Sequence, residues 1–137
     1  MKRKGTAIWS GTIKEGKGTL STQSGVLMDT QYSFKSRFED GKGTNPEELI
    51  AAAHSGCFTM QLSANLSQEE YTPEKLETTC EITLNEGTIT KSHLVLKATV
   101  PDIEKDKFDE LVKHAKENCP VSKLLDTEIT ISVSLNE

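Results

Sequence analysis

The chain has 137 residues, a length that suits one domain because a second independent hydrophobic core could not be buried. Its composition, 34% hydrophobic and 27% charged, excludes both a disordered chain and a membrane-spanning one. The net charge of −5, with acidic and basic residues interspersed, gives no basic surface for nucleic acid or anionic membranes. No secretory leader pattern precedes the first alternating segment, so we expect a soluble, cytoplasmic protein.

The first 40 residues have the alternation typical of β-strands. Glycines interrupt this alternation, and four segments show strand character: 6–13, 19–22, 25–28 and 32–38. In the last segment Tyr32, Phe34 and Phe38 share one face, whereas Arg37 lies on the other. We predict an N-terminal antiparallel β-meander over residues 1–40, with Arg37 on its last strand.

A long helix is predicted after this meander, over about residues 46–66. Asn45 can cap it, Pro46 suits its first position, and Glu48 completes a pattern similar to a capping box. The stretch 51–57 is small on every side, which permits another backbone to approach closely. We expect this helix to be central and buried.

The second half of the sequence predicts a β-hairpin, a helix and a final strand. Two strands, 76–84 and 89–100, are joined at Asn85-Glu86-Gly87, a sequence typical of a hairpin turn. A helix follows from Asp102 to Asn118, then a short helix at 121–125 and an alternating strand at 129–135. The order of elements predicts the α+β class and a single domain over residues 1–137.

Three cysteines are too few, and odd in number, for a secreted disulfide framework. Cys57, in the small-residue helix, is either a buried structural thiol or a nucleophile. Cys119 lies between two helices, where backbone N–H groups can lower a thiol pKa, or it fills a tight corner. Cys80 shares the inward face of a strand with apolar residues and is read as part of the core.

Other polar residues also have two readings. His54 lies three residues before Cys57, so it either forms a Cys–His pair or packs in the core. Arg37 is either a solvated arginine or a cation that stabilises a thiolate, and Glu47 is a helix-dipole acid or a functional carboxylate. A zinc site would require a set without any Cys-x-x-Cys element: His54, Cys57, His114 and Cys119.

Two blocks of sequence resemble a known family. The first runs from Arg37 to Phe58 and contains Asn45-Pro46-Glu47-Glu48 and Ala51-Ala52-Ala53-His54-Ser55-Gly56-Cys57. The second, residues 115–125, contains Asn118-Cys119-Pro120. With Trp9 and Gly16-Lys17-Gly18 near the start, the chain resembles the osmotically inducible protein C (OsmC) family over almost its whole length.

The resemblance implies an OsmC-like fold, with antiparallel sheets around long central helices, in an intertwined homodimer with two active sites at the interface. It also implies a cysteine-based peroxidase with Cys57 as nucleophile, Cys119 as resolving thiol, and Arg37 and Glu47 in the site. The organic hydroperoxide resistance branch takes its arginine from a more N-terminal loop. Because Arg37 lies just ahead of the Asn-Pro-Glu motif, the OsmC branch fits better.

The resemblance further implies a reaction without a cofactor or metal. The expected substrates are organic hydroperoxides and, less well, hydrogen peroxide, in defence against oxidative or osmotic stress. Cys57 would form a sulfenic acid and then a disulfide with Cys119, which an external dithiol, such as a lipoyl-bearing protein, would reduce. A non-catalytic, thiol-containing binding or structural protein remains the alternative.

Helix geometry bears on how the site is assembled. Glu47 and Cys57 are ten residues apart on the predicted helix, a rise of about 15 Å, so they cannot meet within it. Glu47 must then arrive from a second subunit, or act indirectly through Arg37. We expect Arg37, held by Glu47, to lower the pKa of Cys57 and to orient the peroxide oxygen.

Overall fold

The computed structural model describes all residues from Met1 to Glu137. Its first elements are β1 (Gly5–Ser10), β2 (Lys17–Thr22), β3 (Thr30–Tyr32), a short helix α1 (Phe34–Phe38) and a long helix α2 (Pro46–Gln68). The others are β4 (Lys75–Asn85), β5 (Thr88–Thr99), α3 (Lys105–Asn118), α4 (Pro120–Leu124) and β6 (Glu128–Leu135). This mixture confirms the predicted α+β class. The chain divides into two compact units, residues 1–49 and 50–137, and the single domain stays a prediction.

The first unit is built on a three-stranded antiparallel sheet in the order β1-β2-β3. Gly18 on β2 is paired with Trp9 on one side and with Tyr32 on the other. The two aromatic rings meet edge to face over it, with centroids 5.5 Å apart. A Cβ at Gly18 would lie 2.5 Å from each ring, so only glycine permits this packing.

The predicted strand at 32–38 is wrong beyond Tyr32, because residues 34–38 form helix α1. Ser33 caps this helix: its hydroxyl accepts the N–H of Ser36, and the Ser36 hydroxyl accepts the N–H of Ser33. Phe34 and Phe38, which alternation placed on one strand face, are also four residues apart and pack together on the helix. Arg37 therefore lies on α1 and not on a strand.

The predicted strand at 25–28 is also wrong. These residues form part of the turn between β2 and β3, in which Gly25 has a φ of 81°. The Thr22 hydroxyl accepts the N–H of Leu27, and the Thr22 N–H donates to the Leu27 carbonyl. Backbone and side-chain hydrogen bonds within the turn outweigh the strand propensity of Val26 and Leu27. Strand β1 likewise ends at Ser10, before Gly11 with a φ of 96°.

Helix α2 begins where the sequence predicts and ends two residues later than the predicted 66. The Asn45 side chain caps it by accepting the N–H of Glu48 at 2.8 Å. The helix is not buried on every side. One face is buried, but a stripe along the other is exposed to solvent: Ala52, Ala53, Gly56, Met60 and Ala64.

The second unit contains a sheet in the order β4-β5-β6. The predicted hairpin is present, and its Glu86-Gly87 loop has positive φ at both residues, as a type I′ turn requires. One pairing differs from the expected antiparallel arrangement, because β6 runs parallel to β5. The helices α3 and α4 form the crossover that a parallel connection needs.

The core of this second unit is formed by one face of α2, the inward face of β5 and one face of α3. Phe58, Leu62 and Leu66 repeat every four residues on α2, which places them on one side of the helix. They pack with buried residues of β5 and α3: Leu94, Leu96, Ala98, Phe108, Leu111, Val112 and Ala115. His54 lies four residues before Phe58 on the same face of α2, and Cys119 follows the last residue of α3. The packing of these helices therefore also fixes the positions of His54 and Cys119.

Candidate active site

Two of the three thiols are brought together in the second unit. Cys57 lies on α2 and is half-buried, whereas Cys119 is fully buried in the extended residue between α3 and α4. The Cys119 thiol lies near enough to the Cys57 thiol to raise its pKa. Sequence alone leaves their proximity open. The fold brings the two thiols near each other, because Cys57 on α2 packs against the core cluster that contains Cys119.

Helix α4 provides a backbone donor for each sulfur. Pro120 occupies its first position, where the missing N–H is not required. Ser122 then donates its N–H to Cys119 Sγ at 3.4 Å. The Val121 N–H lies near enough to the Cys57 sulfur to lower its pKa. The Val121 N–H favours the thiolate form of Cys57. The sequence predicts that Cys119 lies beside the start of a helix, and the structure places it at the N-cap of α4.

The pKa of Cys57 is nevertheless raised above its ordinary value. Burial is the largest cause, and the neighbouring Cys119 thiol also raises the pKa, whereas the Val121 N–H lowers it. None of these causes is a cationic side chain. Arg37 is not among these causes, and the lowering of the Cys57 pKa by Arg37 stays a prediction.

Arg37 and Glu47 form an ion pair within the first unit. Arg37 Nη2 and Nε donate to Glu47 Oε1 at 2.7 Å and 3.0 Å, and Nε also lies 3.2 Å from Oε2. This hydrogen bonding raises the pKa of Arg37, so the guanidinium stays charged. The guanidinium also lies 5.1 Å from the Phe38 ring centroid. Glu47 holds the guanidinium in one orientation and leaves Nη1 available to another acceptor.

An aromatic cleft of about 270 Å³ lies beside this guanidinium, also within the first unit. Its walls come from β1, the β1–β2 turn, β3 and α1. They are mostly apolar: Trp9, Ile13, Tyr32, Phe34 and Phe38, with Ser33 and Arg37 as the polar members. A site of this kind suits an apolar group carrying one polar end.

His54 does not pair with Cys57. It is fully buried, as the core alternative predicts, and both ring nitrogens bind serine hydroxyls. Nδ1 lies 2.6 Å from Ser92 Oγ, and Nε2 lies 2.8 Å from Ser122 Oγ. Sequence reasoning overlooked both serines. A signal existed at Ser92, which interrupts an inward series of apolar residues on β5: Leu94, Leu96 and Ala98.

Cys80 packs against the core, as predicted. Its sulfur lies 3.2 Å from Ser92 Oγ and 3.9 Å from His54 Nδ1, and burial raises its pKa. The zinc alternative is not assembled, because His114 Nδ1 instead accepts a hydrogen bond from the Asn65 amide. No group of three or more His, Cys, Asp or Glu side chains is placed to hold a metal ion. None of the helices combines the length and apolarity needed to span a membrane.

Comparisons with known proteins agree on one family. Residues 39–134 match the family model for OsmC-like proteins. The protein named peroxiredoxin OsmC of Escherichia coli is 47% identical, over 97% of this chain and 96% of its own length. An organic hydroperoxide resistance protein-like protein of Staphylococcus aureus is 29% identical, over 71% of this chain and 72% of its own.

Solved structures of similar fold include an OsmC-like protein from Mycoplasma pneumoniae, with a TM-score of 0.74 and 16% identity over 100% of this chain and 99% of that one. The organic hydroperoxide resistance protein OhrB of Bacillus subtilis has a TM-score of 0.64 and 23% identity, over 97% of this chain and 98% of its own. At 16% and 23% identity, these structures show that the fold is similar, and nothing more.

Proposed function

This chain belongs to the family of OsmC-like proteins, and we propose that it is a cysteine-based peroxidase with Cys57 as nucleophile and Cys119 as resolving thiol. The observation that carries the proposal is the proximity of these two thiols beside the start of α4, whose Ser122 N–H donates to Cys119 Sγ. A half-buried thiol beside a buried one can cycle between two thiols and one disulfide without a cofactor.

The first step is attack by the Cys57 thiolate on a peroxide oxygen. The O–O bond breaks, the sulfur is oxidised to a sulfenic acid, and the leaving oxygen takes a proton to become an alcohol or water. Cys119 then attacks the sulfenic sulfur, forming the disulfide and releasing water. An external dithiol reduces this disulfide by thiol–disulfide exchange, and we propose a lipoyl-bearing protein as its source.

A homodimer supplies what Cys57 lacks. Burial raises the pKa of this thiol, and no cation opposes the effect, so an activated thiolate needs an added positive charge. We propose that the Arg37–Glu47 pair of one subunit faces Cys57 of the other. The exposed stripe of small residues on α2 supports close packing between two subunits, and the ten-residue separation of Glu47 and Cys57 on this helix supports the exchange.

Organic hydroperoxides are the proposed preferred substrates, ahead of hydrogen peroxide. The aromatic cleft beside Arg37 supports this preference, because it can bury an apolar organic group while the guanidinium binds a peroxide oxygen. Hydrogen peroxide has no apolar group to bury, and it would lose this part of the binding energy.

We further propose that the protein works in the cytoplasm, in defence against oxidative or osmotic stress. All three cysteines are free thiols. The catalytic cycle needs a steady supply of reduced dithiol, which reducing compartments provide. The names of the relatives in Escherichia coli and Staphylococcus aureus, which refer to peroxide chemistry and hydroperoxide resistance, support the same role.

One experiment separates the peroxidase from the non-catalytic alternative. The raised pKa of Cys57 favours this alternative for an isolated chain, because a protonated thiol is a poor nucleophile. The reduced protein is mixed with cumene hydroperoxide, and peroxide consumption and cysteine oxidation are followed by mass spectrometry. We expect Cys57→Ser to abolish consumption. Cys119→Ser should allow one turnover and leave Cys57 open to over-oxidation, because no thiol captures the sulfenic acid.

The matched control for these variants is Cys80→Ser, which removes the third thiol, one that has no part in the proposed cycle. It should keep full peroxide consumption and form the Cys57–Cys119 disulfide. Full activity in Cys57→Ser would overturn the proposal, and so would slow alkylation of Cys57 together with no disulfide formed on adding peroxide.

A further inference from the structure

A buried chain of hydrogen bonds leads from the resolving thiol to a histidine that the proposed mechanism does not use. Cys119 Sγ lies 3.0 Å from Ser122 Oγ, and Ser122 Oγ lies 2.8 Å from His54 Nε2. On the far side of the ring, His54 Nδ1 lies 2.6 Å from Ser92 Oγ. The three distances are those of ordinary or short hydrogen bonds, so the groups form one continuous chain.

The chain is closed off from solvent. His54, Ser92 and Cys119 are completely buried, and Ser122 is 7% exposed. No buried side-chain nitrogen or oxygen atom in the structure lacks a hydrogen-bond partner. A fully satisfied buried network has one preferred arrangement, which fixes the position of the Cys119 sulfur relative to the histidine ring.

The Cys119 sulfur has few groups that can take its proton. Its contacts are the Cys57 thiol, the Ser122 N–H and the Ser122 hydroxyl, and of these only the hydroxyl continues to a base. A hydroxyl can accept one proton while it donates its own, so Ser122 can link the thiol to Nε2.

The groups that face His54 keep it neutral. The Cys80 thiol on β4 is a titratable group that contacts the ring, with its sulfur 3.9 Å from Nδ1, and Cys119 is reached through Ser122. The remaining neighbours of the ring nitrogens are the hydroxyls of Ser92 and Ser122, and no charged side chain perturbs the ring. Burial lowers the pKa of His54, so at neutral pH one ring nitrogen is an acceptor.

We propose that His54 is a positioning residue for the resolving step of the peroxidase proposed above. Cys119 releases a proton when it attacks the Cys57 sulfenic acid, and His54 receives this proton through the Ser122 hydroxyl. The Cys119 sulfur forms the S–S bond and is oxidised, while the S–O bond of the sulfenic acid breaks and the Cys57 sulfur is reduced. Hydroxide leaves and takes a proton from solvent to form water. When the external dithiol reduces the disulfide, His54 returns its proton through Ser122 to the Cys119 thiolate and a dithiol proton goes to solvent, so the full cycle consumes no acid or base.

The test measures the two chemical steps separately in a single turnover. Reduced protein is mixed with one equivalent of cumene hydroperoxide, and a sulfenic-acid trap and disulfide mapping report each step. Ser122→Ala deletes only the linking hydroxyl and keeps the backbone donor to Cys119. His54→Gln keeps a polar side chain that cannot take a proton. Both variants should slow disulfide formation at least about tenfold, as expected for loss of general base catalysis, and leave sulfenic acid formation within twofold.

The matched control is Thr59→Val on the same helix, which removes a hydroxyl bound to Thr78 at 2.7 Å, outside the chain to Cys119. It should change neither step by more than twofold. A role in stability alone would alter thermal unfolding and both steps together. If His54→Gln fails to fold, Ser122→Ala decides the result.

The pH profile of the resolving step gives a second readout. In the unmodified protein this step should slow as the pH falls through the lowered pKa of His54, because the imidazolium cannot accept a proton. That decline should be absent from both variants. Unchanged disulfide rates in Ser122→Ala and His54→Gln would overturn the relay alone, while failure of peroxide to oxidise Cys57 in the unmodified protein would overturn the peroxidase and the relay with it.

Discussion

Arg37 carries a positive charge that is partly exposed, and the Cys57 thiolate would be stabilised by such a charge. Arg37 is charged, oriented by Glu47 and 38% exposed, so part of its guanidinium is available to a further partner. Cys57 is a half-buried thiol whose pKa is raised by burial. A positive charge within a few ångströms favours the thiolate and can reverse such a shift. At the residue scale, the reactivity of Cys57 should therefore depend on how firmly Glu47 holds Arg37.

Alkylation of Cys57 at a series of pH values tests this dependence. Iodoacetamide reacts with the thiolate, so the midpoint of the rate profile follows the thiol pKa. We expect Glu47→Gln to move the midpoint to higher pH, because a loosened Arg37 stabilises the thiolate less. Arg37→Ala should move it further in the same direction. The measurement is the alkylation rate of the Cys57 peptide by mass spectrometry.

Glu48→Gln is the control for this change. It removes the same charge one residue along, from a side chain that binds the Thr44 hydroxyl and not Arg37. Its midpoint should match that of the unmodified protein. Equal midpoints in all four proteins would show that Arg37 does not act on Cys57.

At the scale of elements, the sheet of the first unit depends on one close contact. The Trp9 and Tyr32 rings cover Gly18 of β2, and these aromatic residues also line the cleft beside Arg37. A side chain at this position would displace both rings. The cleft and the strand pairing therefore depend on the same glycine.

Gly18→Ala should lower the free energy of unfolding by about 1–3 kcal/mol, the usual cost of forcing extra atoms into a packed site. The new Cβ would lie 2.5 Å from each ring, so the rings or the strands must shift. Thermal unfolding followed by tryptophan fluorescence measures the effect, because Trp9 is the only tryptophan. Gly5→Ala, in the same sheet, is the control: its nearest neighbour would be the Ser21 carbonyl oxygen at 3.7 Å. Equal stability of the two variants would contradict this account.

At the scale of the whole molecule, the exposed face of α2 is the feature that a single chain does not explain. Nothing lies within 4 Å of a Cβ placed at Gly56, and Met60 on the same stripe is 78% exposed. Small residues along a helix permit close approach of a second helix. A homodimer formed through this face would cover the stripe and bring charged residues of one subunit towards the thiols of the other.

Gly56→Leu should therefore produce a monomer with little peroxidase activity, because a bulky side chain on the stripe prevents close packing of the two helices. Light scattering after size-exclusion chromatography measures the mass, and cumene hydroperoxide consumption measures the activity. Glu117→Leu, at an exposed position of α3, is the control and should leave the mass and the activity unchanged. A Gly56→Leu protein that remained a fully active dimer would place the interface elsewhere.

Local patterns were sufficient for much of this protein. The Asn45 cap and Pro46 start α2, the Asn85-Glu86-Gly87 turn joins β4 to β5, and Pro120 begins α4, each because a short stretch of residues satisfies its own backbone hydrogen bonds. The motifs around Cys57 and Cys119 also selected the two thiols that meet. The strand predicted from alternation at residues 34–38 was wrong. Phe34 and Phe38 fit both the two-residue period of a strand and the i, i+4 spacing of a helix, and the capping serines select the helix.

The tertiary structure decided what depends on residues distant in sequence. The contact between Cys57 and Cys119, the raised pKa of Cys57, and the path from Cys119 through Ser122 to His54 all arise from packing α2 against β5 and the α3–α4 corner. Sequence spacing gives only positions along one helix, so it left His54 either as a partner of Cys57 or as a core residue. Burial, hydrogen-bond partners and electrostatic neighbours depend on which elements pack together, and here they direct the histidine to the resolving thiol instead.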